Sequence, residues 1–164
     1  MANFLVTNDI VSIRILFIIL PIIMGIVHCI WKRRTPGFSK TECFLAYFLI
    51  IGVGLQSLLV GYLEIYHSDV VAAYIGSSDT LFLSELGKAN MAFGILGILS
   101  FWFRGGWRGA TALGYGLFLF MTAIGHYRYF ILNHHTHQEM IGIFIAMNIL
   151  LAVCLFILLI LRRT

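Results

Sequence analysis

The sequence predicts an all-α integral membrane bundle of about five transmembrane helices, with the N-terminus outside and the C-terminus cytoplasmic. Three observations predict it. Of 164 residues, 60% are hydrophobic and 11% charged, with a mean hydropathy of +0.96, whereas soluble domains carry about 25% charged residues. Apolar runs of the roughly 20 residues needed to cross a hydrocarbon core recur along the chain. Basic residues gather at alternate ends of those runs, the pattern that sets membrane orientation.

The first span is expected over about 13–31. It contains Pro21 and Gly25 and is followed by Lys32, Arg33 and Arg34. MANFLVTND carries no basic leader region, and no small-residue cleavage site follows, so the run reads as a retained span. Arg14 then has to snorkel to the outer interface. After ThrProGlyPheSerLysThrGlu comes the second span, 43–66. HSDVVAAYIGSSDT reads as a longer polar connection to the third, 81–103. GlyGlyTrpArgGly at 105–109 reads as a tight cytoplasmic turn, with Arg104 and Arg108 as topology anchors. The fourth span is expected over 110–132 and the fifth over 140–161. No linker or internal repeat interrupts residues 1–164, which read as a single transmembrane domain.

With the N-terminus outside, the inner side receives Lys32, Arg33, Arg34, Lys40, Arg104, Arg108, Arg162 and Arg163, with Glu42 the only acid. The outer half receives Asp9, Glu64, Asp69, Asp79, Glu85 and Glu139 against Arg14, Lys88 and Arg128. The net charge of +4 is therefore topology, and no basic surface interleaved with aromatics suggests nucleic acid. The expected partner is the lipid bilayer, with a second copy or another membrane protein left open. Cys29, Cys43 and Cys154 lack CxxC spacing and read as packing residues.

Small residues indicate how the helices meet. Gly54, Ser57, Gly61 and Glu64 recur at three- and four-residue spacing, as do Gly87, Asn90, Gly94 and Gly97. Close helix contact in lipid uses such faces, so both stripes are expected to face the bundle interior and each other.

The ionisable residues carry the functional expectation. Glu85 and His126 fall at similar depths of roughly 10 Å, and Glu64 about one turn inside its helix end. Lys88 and Asn90 extend the polar strip. A charge at a helix centre costs about 2.5–3.5 kcal/mol on insertion scales, so ionisable groups within spans are functional suspects. One reading is a pocket in the outer half that binds a proton, metal ion or small ligand through Glu85, His126, Lys88, Asn90 and Glu64, with Glu85 and His126 as metal candidates. A second reading is structural or partner-binding. In it Glu85 and Lys88 form an i,i+3 ion pair, Thr122 and Tyr129 hydrogen-bond His126, and the polar groups only specify packing. A third is a redox or quinone-linked component with His126 as proton or haem ligand; His67 is the only other outer histidine from a different helical region. Asn148 reads as an interhelical hydrogen bond. His134, His135 and His137 in the last outer loop can hold zinc or copper, or form a solvated tract. No nucleophile elbow, zinc helix or phosphate-binding loop is present, so no catalytic residue and no cofactor is assigned.

Several segments occur in a familiar order: GluCysPheLeu from Glu42, ValGlyLeuGlnSer from Val53, and AspValValAlaAlaTyrIleGly from Asp69. GluLeuGlyLysAlaAsn from Glu85, PheGlyIleLeuGlyIleLeuSerPheTrpPheArgGly from Phe93, and a span ending at His126 follow. Together they resemble a family of small multi-pass bacterial membrane proteins classed as a domain of unknown function. Ser77 stands where the family pattern has Trp, and Glu64 and His67 lie near where it has a histidine. The resemblance implies a bacterial cytoplasmic-membrane protein and supplies no activity.

Overall fold

A computed structural model of the protein describes residues 2–32, 39–75, 80–132 and 138–163, with side chains over 12–32, 39–72, 81–128, 131 and 142–162. Among the described residues every regular element is helical. They are α1 (Ala2–Trp31), α2 (Lys40–Tyr66), α3 (Ser68–Ile75), α4 (Thr80–Leu99), α5 (Gly106–Leu132) and α6 (Gln138–Arg163).

Four stretches, Ser12–Trp31, Lys40–Tyr66, Leu81–Leu99 and Gly142–Arg162, are long and apolar enough to cross a membrane. They imply a lipid environment, as does the outward display of Leu16, Ile23, Val27 and Ile157. Helix α5 matches the remaining expected span in length, 27 residues or about 40 Å at 1.5 Å per residue. It is less apolar than the other four, because Thr111, Tyr115, Thr122 and His126 interrupt it.

Helix α2 organises the interior. Its first half places Leu45, Phe48, Leu49 and Val53 in a core completed by Ala112, Tyr115 and Leu119 of α5 and Leu151, Ala152 and Leu155 of α6. Its second half packs along α4, and α5 packs most extensively on α6. The middle of α2, Phe48–Leu55, is a π-helical stretch, a wider winding that changes which face a helix presents. Gly52 within it passes 3.5 Å from the Phe17 carbonyl of α1, measured from where a Cβ would stand. Ser39 caps α2, its hydroxyl accepting from the Glu42 N–H at 3.4 Å.

Two connections differ from expectation. The polar-looking segment after His67 contains α3, which packs on α2 and α4 and buries Ala72. Asp69 in its first turn suits the helix dipole. Helix α4 stops at Leu99, short of 103, and just beyond it the Ser100 hydroxyl donates to the Leu96 carbonyl at 2.9 Å. The chain then tightens into i,i+3 bonds through Trp102. Gly105, at φ 64°, makes the reversal, a backbone setting that favours glycine, and α5 already begins at Gly106.

Candidate functional site

The α2–α4 seam sets the first two site residues. A Cβ on Gly97 would lie 2.6 Å from the Gly54 nitrogen and the Leu49 carbonyl oxygen. One on Gly61 would lie 2.7 Å from the Gly87 carbonyl oxygen, and one on Gly94 2.9 Å from the Leu58 nitrogen. The two small-residue stripes therefore face each other in backbone-to-backbone contact, as their spacing predicts. One step further along the same seam, Asn90 Nδ2 donates to Glu64 Oε2 at 2.7 Å. Both residues are only 7% exposed. A buried carboxylate needs such donors, because stripping it of water without compensation costs several kcal/mol.

Glu64 and Asn90 border a small polar void of about 50 Å³, together with Arg14, Gln56, Thr122, His126 and Asn148. A larger, mainly apolar cavity of about 330 Å³ lies against Ile13 and Phe17 of α1, Leu59 and Leu63 of α2, Val71 of α3 and Leu83 of α4. Arg14, Gln56, Glu64, His126 and Phe144 border both. Cavities of about 300–1,000 Å³, apolar with a few convergent polar groups, are the usual form of small-molecule sites.

Arg14 corrects one expectation. Its Nη1 donates to Asn148 Oδ1 at 3.5 Å, and its guanidinium stands 4.1 Å from the centre of the Phe144 ring. The side chain thus turns inward to α6 instead of snorkelling to the outer interface. A cation over an aromatic face away from water is stabilised by up to about 2 kcal/mol. Asn148 makes the interhelical bond expected of it. Gln56 is 6% exposed, and its Oε1 accepts no hydrogen bond from any described residue.

The structure brings Glu64, Asn90 and His126 to one place. It does not bring Glu85 and Lys88 there. These two pair with each other at 2.6 Å on an exposed face, with side chains 61% and 60% accessible. The Thr122 hydroxyl donates to the Phe118 carbonyl of its own helix at 2.8 Å. His134, His135 and His137 lie outside the described residues, as does the side chain of Tyr129. Among the described residues, no three His, Cys, Asp or Glu side chains are grouped to hold a metal ion. His67 borders the larger cavity.

At the opposite end the bundle is tied by charge. Arg108 Nη1 meets Glu42 Oε2 at 3.2 Å, and Arg162 pairs with the other Glu42 oxygen. Arg108 Nε donates to the Ser100 carbonyl at 2.9 Å, and Arg162 Nη2 to the Gly105 carbonyl at 2.7 Å. Arg108, expected as a topology anchor, is 6% exposed.

Sequence reasoning missed Arg14 and Gln56 as cavity residues, and Glu42 as a junction. The signals were available in part: Arg14 is a charge placed directly in an apolar run, and Gln56 is an amide inside the Gly54–Ser57 stripe.

These features define a multi-pass helical membrane protein with a partly open, polar-rimmed cavity near one end of the bundle. The chain belongs to a family of unknown function, DUF6790, whose sequence pattern covers residues 11–164. No curated protein and no solved structure matches it.

Proposed function

We propose that this protein binds a small ligand in the cavity bordered by α1, α2, α3 and α4, with Glu64, His126, Arg14 and Gln56 as its polar border and Asn90 holding Glu64 from the adjoining small void. The reading extends to a single five-span domain in a bacterial cytoplasmic membrane, N-terminus outside, so that the cavity opens in the exoplasmic half. The distribution of basic residues supports that orientation, and the length of α5 supports a fifth span. One observation carries the ligand reading: a 330 Å³ apolar void shares its border with a cation, a carboxylate, an imidazole and a buried amide.

Native mass spectrometry of the protein released from mild detergent tests it. The wild type is expected to carry one small molecule per chain, and Val71→Phe, which fills the cavity, to lose it. A bare mass for both, with no compound in an apolar library raising the unfolding temperature, would leave the polar groups with a packing role only.

A further inference from the structure

We infer that the small polar void is a bound-water site, whose ordered waters bridge α1, α2, α4, α5 and α6 and link Glu64 to His126. The inference concerns the void of about 50 Å³ and stands apart from the ligand reading of the larger cavity.

The partners come from every long helix. Arg14 stands on α1, Glu64 on α2, Asn90 on α4, Thr122 and His126 on α5, and Asn148 on α6, and all of them border the void. The direct bonds they make leave polar atoms over. Asn90 donates its amide to Glu64, Asn148 offers its carbonyl to Arg14, and the Thr122 hydroxyl gives its proton to Phe118. Asn90 Oδ1, Asn148 Nδ2, Glu64 Oε1 and the His126 ring nitrogens have no hydrogen-bond partner among the described residues. Glu64, Asn90 and Asn148 are each only 7% exposed. Even so, among the described residues Gln56 Oε1 is the one unpartnered side-chain atom that is sealed off completely. The other leftover atoms keep contact with water-sized space, and the space that these residues share is the void.

Size and chemistry both select water. One water needs roughly 10–15 Å³ of such space and makes about three hydrogen bonds, so the void has room for about two or three waters. Donors are at hand in Arg14 and the Asn148 amide, and acceptors in Asn90 Oδ1, Glu64 Oε1 and Thr122 Oγ1. Water meets both kinds at once, whereas hydrocarbon entering from the bilayer would leave every one of them unbonded, which is unfavourable. A cluster this small extends over one or two hydrogen bonds of about 3 Å each. Glu64 and His126 therefore meet through water, and because both also border the larger cavity, whatever occupies that cavity faces a hydrated pair.

Water-edited solid-state NMR of isotope-labelled protein in lipid bilayers tests this, with a membrane-impermeant gadolinium chelate bleaching the open solvent. Water magnetisation is expected to reach the Asn90 and Asn148 side-chain amides and the His126 ring, and to be missing at Leu45 and Leu49, which are sealed in the core. Thr122→Leu, which puts hydrocarbon into the small void, is expected to lose the signal at Asn148. Val71→Phe, which borders only the larger cavity, is expected to keep it. Amide signals no stronger than those of Leu45, or signals that the chelate abolishes, would overturn the inference. So would an undiminished Asn148 signal in a folded Thr122→Leu, or its loss in Val71→Phe, which would move the water to the larger cavity. If Thr122→Leu fails to fold, the wild-type signals with and without the chelate decide. None of these failures touches the ligand reading, which the mass of the intact protein judges separately.

Discussion

Gly97→Ala is the sharpest probe of how this bundle closes. The added Cβ would lie 2.6 Å from the Gly54 nitrogen and the Leu49 carbonyl oxygen, where ordinary contact begins at 3.4 Å. Both obstructing atoms are backbone, so no side chain can swing away, and α2 and α4 must part by about 0.8 Å locally. Overpacking of this kind costs about 1–3 kcal/mol. Parting the seam also strains the Asn90–Glu64 bond, now 2.7 Å, and a weakened bond between buried polar groups adds roughly 1 kcal/mol. The expected loss is about 2–4 kcal/mol. Gly125→Ala is the control: a Cβ there meets nothing within 4 Å, and replacing a helical glycine by alanine gains up to about 1 kcal/mol. Titrating detergent-solubilised protein with SDS, followed by far-UV circular dichroism, reads both. Unfolding of Gly97→Ala at the wild-type SDS fraction would refute the backbone contact between α2 and α4.

The same titration checks three further expectations. Asn90→Leu, which leaves the buried Glu64 carboxyl without its donor, should cost about 2 kcal/mol, while Glu64→Gln, which can still accept from Asn90, should cost under about 1 kcal/mol. Glu42→Gln should cost about 3 kcal/mol, because it leaves the buried Arg108 without its counter-charge; removing both charges in Glu42→Gln/Arg108→Met should cost less than the sum of the single changes. Glu85→Gln should cost less than about 1 kcal/mol, since its pair with Lys88 is exposed.

Much of the helical layout was legible because lipid imposes length and apolarity on each crossing segment. The α2–α4 seam was legible too, from Gly and Ser recurring on one helical face. Depth along the membrane axis proved a poor guide to the site, because it leaves out rotation about the helix. Glu85 lies two residues before Gly87, about 200° around the helix at 3.6 residues per turn. The stripe that buries Gly87 and Asn90 therefore turns Glu85 outward, and the same periodicity would have said so. Other features depend on partners remote in sequence. Arg14 meets Asn148 across 134 positions and Glu42 meets Arg108 across 66, and no local pattern encodes either meeting. Helix α3 was hidden because a helix of 8 residues draws its stability from packing more than from its own composition.

The junction at Glu42 has a mechanical consequence. One carboxylate holds the start of α5 and the finish of α6 to the start of α2, so three rods share a single pivot. The cavity lies toward their far ends, bordered also by α1 and α3. Neither α1 nor α3 joins these ion pairs among the described residues, so the bundle is pinned at the end remote from the cavity.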